Sequence, residues 1–265
     1  MHPLTQAILK QYSFKHYSLD EAFFVIVDIV IELKIEEFNG HKIATAFHDG
    51  GTKNIVIFCH GYRGTSVGPN RFFVRAADKL TAKGISSLRF DQYGSGNSEG
   101  DFFNSSFNDW VKTTKEISKS YLDRGFQVAL FGQSMGGATV IAVGSEIPGL
   151  TAVVAWVPDP NVEDFNQPIN GYIEEGGQRV QAAYWQEAHD AKVADKLASL
   201  KAPAFIVQCT ADEYVNEANR KAVLDNAQSN HQVTDFEGYT HSNWTYDRAE
   251  EIINRSVDFI VSSLR

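Results

Sequence analysis

The chain has 265 residues, 43% of them hydrophobic, and a formal net charge of −9. That length and apolar content suit one α/β domain over residues 1–265 with a large buried core. The acidic balance disfavours nucleic acid and anionic membrane surfaces as partners, and no apolar run approaches the ~20 residues of a membrane span, so integral membrane association is not expected.

In chain order, the first twenty residues, MHPLTQAILKQYSFKHYSLD, lack the charged start, apolar stretch and small-residue cleavage site of a secretory leader. With only two cysteines, far apart, a cytoplasmic location is expected. Residues 22–35 (AFFVIVDIVIELKI) and 41–48 (HKIATAFH) read as antiparallel strands joined around Asn39-Gly40, a hairpin signal. NIVIFC, ISSLRF, QVALF, TAVVAW, AFIVQC and HQVTDF read as core strands, separated by helical stretches such as RFFVRAADKLTAKG. Helix-length connections between apolar strands predict a mostly parallel eight-stranded sheet with helices on both faces. One stretch breaks the alternation. Between TAVVAW and Pro203 the chain is longer than one crossover helix needs, and its start is rich in proline, asparagine and glycine. Residues 158–189 therefore read as an insertion and the remainder as the crossover helix. The insertion's aromatics, Phe165, Tyr172, Tyr184 and Trp185, either line a substrate pocket or form the insertion's own small core.

Residues 127–137, QVALFGQSMGG, place Ser134 between small residues where an apolar strand turns sharply into a helix. Gly132 and Gly136 permit that turn, and the first-turn N–H groups of the helix point at any negative oxygen formed beside the serine. The plain alternative is a glycine-flanked helix cap. A serine hydroxyl is a poor nucleophile at neutral pH, so a base and a group to orient it are required further along the chain. Asp212 follows the strand AFIVQC, with Glu213 beside it as a rival acid, and His241 follows the last strand. Of the eight histidines His60 is the chief rival, but it closes the strand NIVIFC in the turn HGYRG. That turn supplies a second oxyanion donor: the N–H of Tyr62 would join the N–H of Met135. Asp159 is a loop cap or a rival triad acid.

HGYRG, DQYGSGNSEG, GQSMGG and the Asp212 and His241 loops, in this order, resemble the serine hydrolases of the α/β-hydrolase superfamily, in particular monoacylglycerol-lipase-like and feruloyl or cinnamoyl esterase-like members. The resemblance implies an α/β-hydrolase fold, a Ser134, Asp212 and His241 triad, a lid at about 158–189 over the serine, and a loop at residues 91–100 that shapes the floor of the site. One departure is Gln133, where many relatives carry histidine; this is expected to alter the hydrogen bonding around the triad and not the triad itself.

Neither a cofactor nor a metal is expected. Gly94, Gly96 and Gly100 are not spaced as a dinucleotide fingerprint, no phosphate-binding G-x-x-x-x-G-K-[ST] or zinc-binding H-E-x-x-H occurs, and Cys59 and Cys209 stand alone. The expected activity is hydrolysis of small to medium acyl or aryl esters through an acyl-enzyme, the ester being the small-molecule partner. A peptidase or amidase uses the same triad, and a ligand-binding protein can keep the same fold.

Overall fold

The computed structural model describes residues 31–163 and 170–264. Strands β1 (Ile31–Phe38) and β2 (His41–His48) pair antiparallel, with Phe38 opposite His41. The two residues between them, Asn39 and Gly40, have φ of 53° and 73°, the mirror-image turn whose twist suits a hairpin. The part of the expected first strand before residue 31 lies outside the described residues.

The chain then alternates strand and helix: β3 (Asn54–Cys59), α1 (Phe72–Thr81), β4 (Ser86–Phe90), α2 (Phe107–Asp123), β5 (Gln127–Gln133), α3 (Met135–Glu146) and β6 (Ala152–Trp156). A hairpin of β7 (Tyr172–Glu175) and β8 (Gln178–Gln181) follows, then α4 (Ala183–Asp190) and α5 (Val193–Ser199). The chain closes with β9 (Ala204–Cys209), α6 (Glu217–Asn226), β10 (His231–Phe236) and α7 (Tyr246–Ser263). The eight-stranded sheet has the order β1-β2-β4-β3-β5-β6-β9-β10. Every pairing from β4 to β10 is parallel, and only β2 runs against its neighbours, as the strand and helix alternation predicts.

The central strands are apolar on both sides because both are covered. Ile55, Ile57 and Cys59 of β3 and Val128 and Leu130 of β5 enter one core with Trp110, Ile117 and Ile141 of α2 and α3. Val56, Phe58, Ala129 and Phe131, the residues in between, enter the other with Phe73 of α1 and Ile253 and Val257 of α7. Period-two alternation thus splits each strand between two cores. Trp156, fully buried at the end of β6, donates its indole N–H to Ser256 Oγ of α7 at 2.8 Å, so its one polar atom is satisfied inside the core.

Residues 158–189, expected as an insertion, contain a hairpin that the expectation does not include. Its signal is the pair Gly176-Gly177, with φ of 57° and 76°, the same two-residue turn as Asn39-Gly40. The expected crossover helix is α5.

Candidate active site

Because the strands are parallel, the loops after β3, β5, β6, β9 and β10 leave the same edge of the sheet. Ser134 sits between β5 and α3 with φ 56° and ψ −124°, a backbone conformation that costs a non-glycine residue energy. Its amide donates to Trp156 O at 2.8 Å and its carbonyl accepts from Ala138 N at 3.0 Å, which pins the turn from both sides. A Cβ at Gly132 would overlap the Gly136 carbonyl, and one at Gly136 would overlap the carbonyl of Cys59, so the sharp turn tolerates no side chain at either position. Ser134 is partly exposed while Gln133 and Met135 beside it are buried.

Asp212, almost wholly buried, accepts from the Tyr214 and Val215 amides through Oδ1, each at 2.8 Å. Its Oδ2 lies 2.8 Å from His241 Nδ1. The same carboxylate therefore shapes its own turn and orients the imidazole. Glu213, the rival acid, instead accepts the backbone N–H of His241 at 3.0 Å. The other imidazole nitrogen, Nε2, is 3.5 Å from Gln133 Nε2. Among the described residues the Ser134 hydroxyl forms no hydrogen bond to it, although Ser134, Gln133 and His241 line one cavity of about 650 Å³. Catalytic hydrogen bonds are commonly loose before substrate binds.

The HGYRG turn packs directly against this elbow: a Cβ on Gly61 would come within 3.1 Å of Ser134 Cβ. His60 is buried and holds the turn in place, its Nδ1–H donating to Gly61 O at 2.8 Å while Nε2 accepts from Gln92 N at 3.0 Å. Burial lowers its pKa below the ordinary imidazole value. With both ring nitrogens engaged, it has no free nitrogen to act as a base. The amides of Tyr62 and Met135 donate to no acceptor among the described residues. For Met135 this follows from its place in the first turn of α3. The loop at residues 91–100 reaches the turn through the Gln92 N–H on His60, and Asp91 ties down the chain that follows, its Oδ1 accepting from Ser66 N at 2.6 Å and its Oδ2 from Asn97 N at 2.9 Å.

The insertion's aromatics divide. Trp185 lines the cavity of Ser134, and Tyr184 is buried beneath it, with ring centroids 5.7 and 4.9 Å from Tyr62 for Tyr184 and Trp185 respectively. Tyr172 faces away into a separate cavity with Phe102 and Phe103, because alternate residues of a strand point to opposite sides and Ile173 takes the core side. Phe165 lies outside the described residues.

Further side chains meet in the cavity. Arg63, beside Tyr62, reaches across 112 positions to pair with Glu175 at the tip of the hairpin, 2.7 Å away. Tyr214 stands edge-on to the His241 ring at 5.1 Å between centroids. Asp159 lines the same cavity, and burial is the main reason its carboxyl is pushed up to about 6; Asp212 and Glu163 add to the rise, against the Asn161 amide and His241. Among the described residues no group of three or more His, Cys, Asp or Glu side chains is arranged to hold a metal, and no helix is long and apolar enough to cross a membrane.

This topology, with a serine at the β5 elbow, is the α/β-hydrolase fold that the motif resemblance implies. The family model described as serine aminopeptidase, S33, matches residues 50–169. Among solved structures, the chain is similar to Est1E from Butyrivibrio proteoclasticus with ferulic acid bound, at 20% identity and TM-score 0.76, covering 87% of this chain and 98% of that one. It is similar also to the α/β-hydrolase GrgF from Penicillium sp. sh18, at 14% identity and TM-score 0.77, covering 89% and 99%. The monoacylglycerol lipase of Paleococcus ferrophilus matches at 19% identity and TM-score 0.69, covering 84% and 99%. No curated protein matches the sequence.

Proposed function

We propose that this protein is a serine hydrolase of carboxylic esters, with Ser134 as nucleophile, His241 as base and Asp212 as the group that orients the imidazole. The observation that carries the reading is the buried Asp212 carboxylate 2.8 Å from His241 Nδ1, in a cavity shared with a serine on a strained elbow. With its Nδ1 proton held by Asp212, the imidazole presents a lone pair at Nε2. It removes the Ser134 proton as the hydroxyl attacks the ester carbonyl, and the Tyr62 and Met135 amides donate to the oxyanion. His241 then protonates the leaving alcohol, and water releases the acyl group by the same steps in reverse roles.

In the same reading, residues 158–189 act as a lid within a single domain of residues 1–265, and the Arg63–Glu175 pair ties the hairpin to the oxyanion loop. The two free, buried cysteines favour a reducing compartment such as the cytoplasm. A second reading, cleavage of amides, is favoured by the match to the serine aminopeptidase model. Wild-type protein is expected to react with a fluorophosphonate probe and to hydrolyse p-nitrophenyl butyrate, with Ser134→Ala losing both while remaining folded. Labelling that survives Ser134→Ala would refute the assignment. A matched ester and anilide pair decides between the two readings.

A further inference from the structure

Asp159 leaves β6 at the same sheet edge as Ser134 and lies at the wall between two cavities, the catalytic one and a side cavity of about 210 Å³. Its Oδ1 accepts from the Asn161 amide at 3.0 Å. Among the described residues no Lys, Arg or His pairs with this carboxylate; Arg63, the Lys or Arg that lines the catalytic cavity, is engaged by Glu175. A half-buried carboxylate without an ion-pair partner costs free energy, and the cost is recovered where a ligand supplies the charge.

The side cavity is lined by two aromatic residues, Trp185 and Tyr214, and two acids, Asp159 and Glu163. His189, also on its wall, has its ring nitrogens engaged by Asn161 O at 2.9 Å and by Lys192 Nζ at 3.4 Å. Aromatic faces beside carboxylates attract a cation, and above all a bulky, weakly hydrated ammonium. A neutral hydroxyl would fill one lone pair of Asp159 and leave its charge uncompensated. The position of Tyr214 fixes which half of the substrate is involved: it lines both cavities and stands edge-on to His241. The imidazole delivers its proton to the leaving oxygen, so the alcohol half of an ester lies on that side.

We propose that Asp159 is a specificity-determining residue and that the preferred ester carries an ammonium group on its alcohol portion, seated between Trp185, Tyr214 and the Asp159 carboxylate. The inference rests on the hydrolase reading for its chemistry but not for its binding. Two measurements separate them. Choline itself, titrated into the resting protein by calorimetry, should bind, and binding should be lost in Asp159→Asn and kept in Asp159→Glu; absence of choline binding to the wild type overturns the proposal. For turnover, butyrylcholine is compared with its uncharged isostere 3,3-dimethylbutyl butyrate. The ratio of their kcat/KM values should favour the cation by about tenfold or more and fall about tenfold in Asp159→Asn, through KM of the choline ester. A wild-type ratio near one overturns the proposal. So does a ratio that Asp159→Asn leaves unchanged while both esters slow together, since Asp159 then acts through His241. If fluorophosphonate labelling of Ser134 fails, the hydrolase reading falls, and choline titration alone decides the role of Asp159.

Discussion

Asp212→Asn isolates the orienting role of one carboxylate. Asp212 Oδ1 takes two backbone amides at 2.8 Å each and lies 3.0 Å from His241 Nδ1, which Oδ2 approaches at 2.8 Å. An asparagine keeps its carbonyl oxygen on the amides, because an NH2 group there would face two donors. Its NH2 group then replaces the nearer of the two oxygens at Nδ1, and it gains a hydrogen bond there only when the imidazole proton moves to Nε2. An Nε2–H cannot take the serine proton. The same change in a serine protease triad lowers kcat by about 10⁴, which is ~5 kcal/mol of barrier. Stability should suffer far less, since two of these hydrogen bonds survive and the lost charge-assisted one is worth ~1–3 kcal/mol. The assay is steady-state hydrolysis of p-nitrophenyl butyrate beside urea unfolding of each protein. A variant that keeps its fold and turns over within about tenfold of wild type would refute Asp212 as the orienting group and return Glu213 and Asp159 to consideration.

Gly136→Ala should be severely destabilising, by ~3 kcal/mol or more, because the new methyl group overlaps the Cys59 carbonyl of a fully buried strand; a wild-type melting temperature would contradict this. The Arg63–Glu175 pair is partly exposed, so a double-mutant cycle on unfolding should give a coupling of at most ~1 kcal/mol, whereas proteolysis within residues 172–181 should accelerate clearly in either single variant; unchanged proteolysis would deny the pair a role in holding the hairpin. His48 is buried beside Arg89, burial being the larger cause and the guanidinium the smaller of a pKa lowered to about 4. The unfolded chain, with an ordinary imidazole near 6.5, binds the proton first, so stability present above that pH is lost as pH falls towards 4. Urea unfolding of His48→Gln should show a shallower loss over that interval, and an identical slope would exclude His48 as its source.

What the sequence discloses here depends on the range of the interaction. Strand β3 is readable because all of Ile55 to Cys59 are apolar, a run that only a doubly covered strand tolerates, and the Asn39-Gly40 turn is readable because its chemistry is contained in two residues. That Ser134, Asp212 and His241 come to one edge of the sheet is readable because each follows a recognisable strand, and parallel strands carry their loops to one edge. Tyr172 could not be assigned a side: four residues of β7 carry too little alternation, and the packing of Ile173 decides the matter. Arg63 with Glu175 and Gln133 with His241 pair across 112 and 108 positions, and no local pattern encodes either.

Gln133 connects the β5 elbow to His241. As the last residue of β5 it is buried, and its amide nitrogen lies 3.5 Å from the imidazole nitrogen that must accept the serine proton. With Nδ1–H committed to Asp212, the Gln133 NH2 can donate weakly to Nε2 at rest. Once the imidazole is protonated, the same donor faces a donor, so the contact favours the neutral ring and opposes the charged one. Gln133→Leu, similar in size but unable to donate, should therefore move the acid limb of the kcat/KM profile to higher pH, and Gln133→Glu should move it further the same way, because a carboxylate favours the imidazolium throughout. Profiles that superimpose on wild type in both variants would show that the contact leaves the base unperturbed.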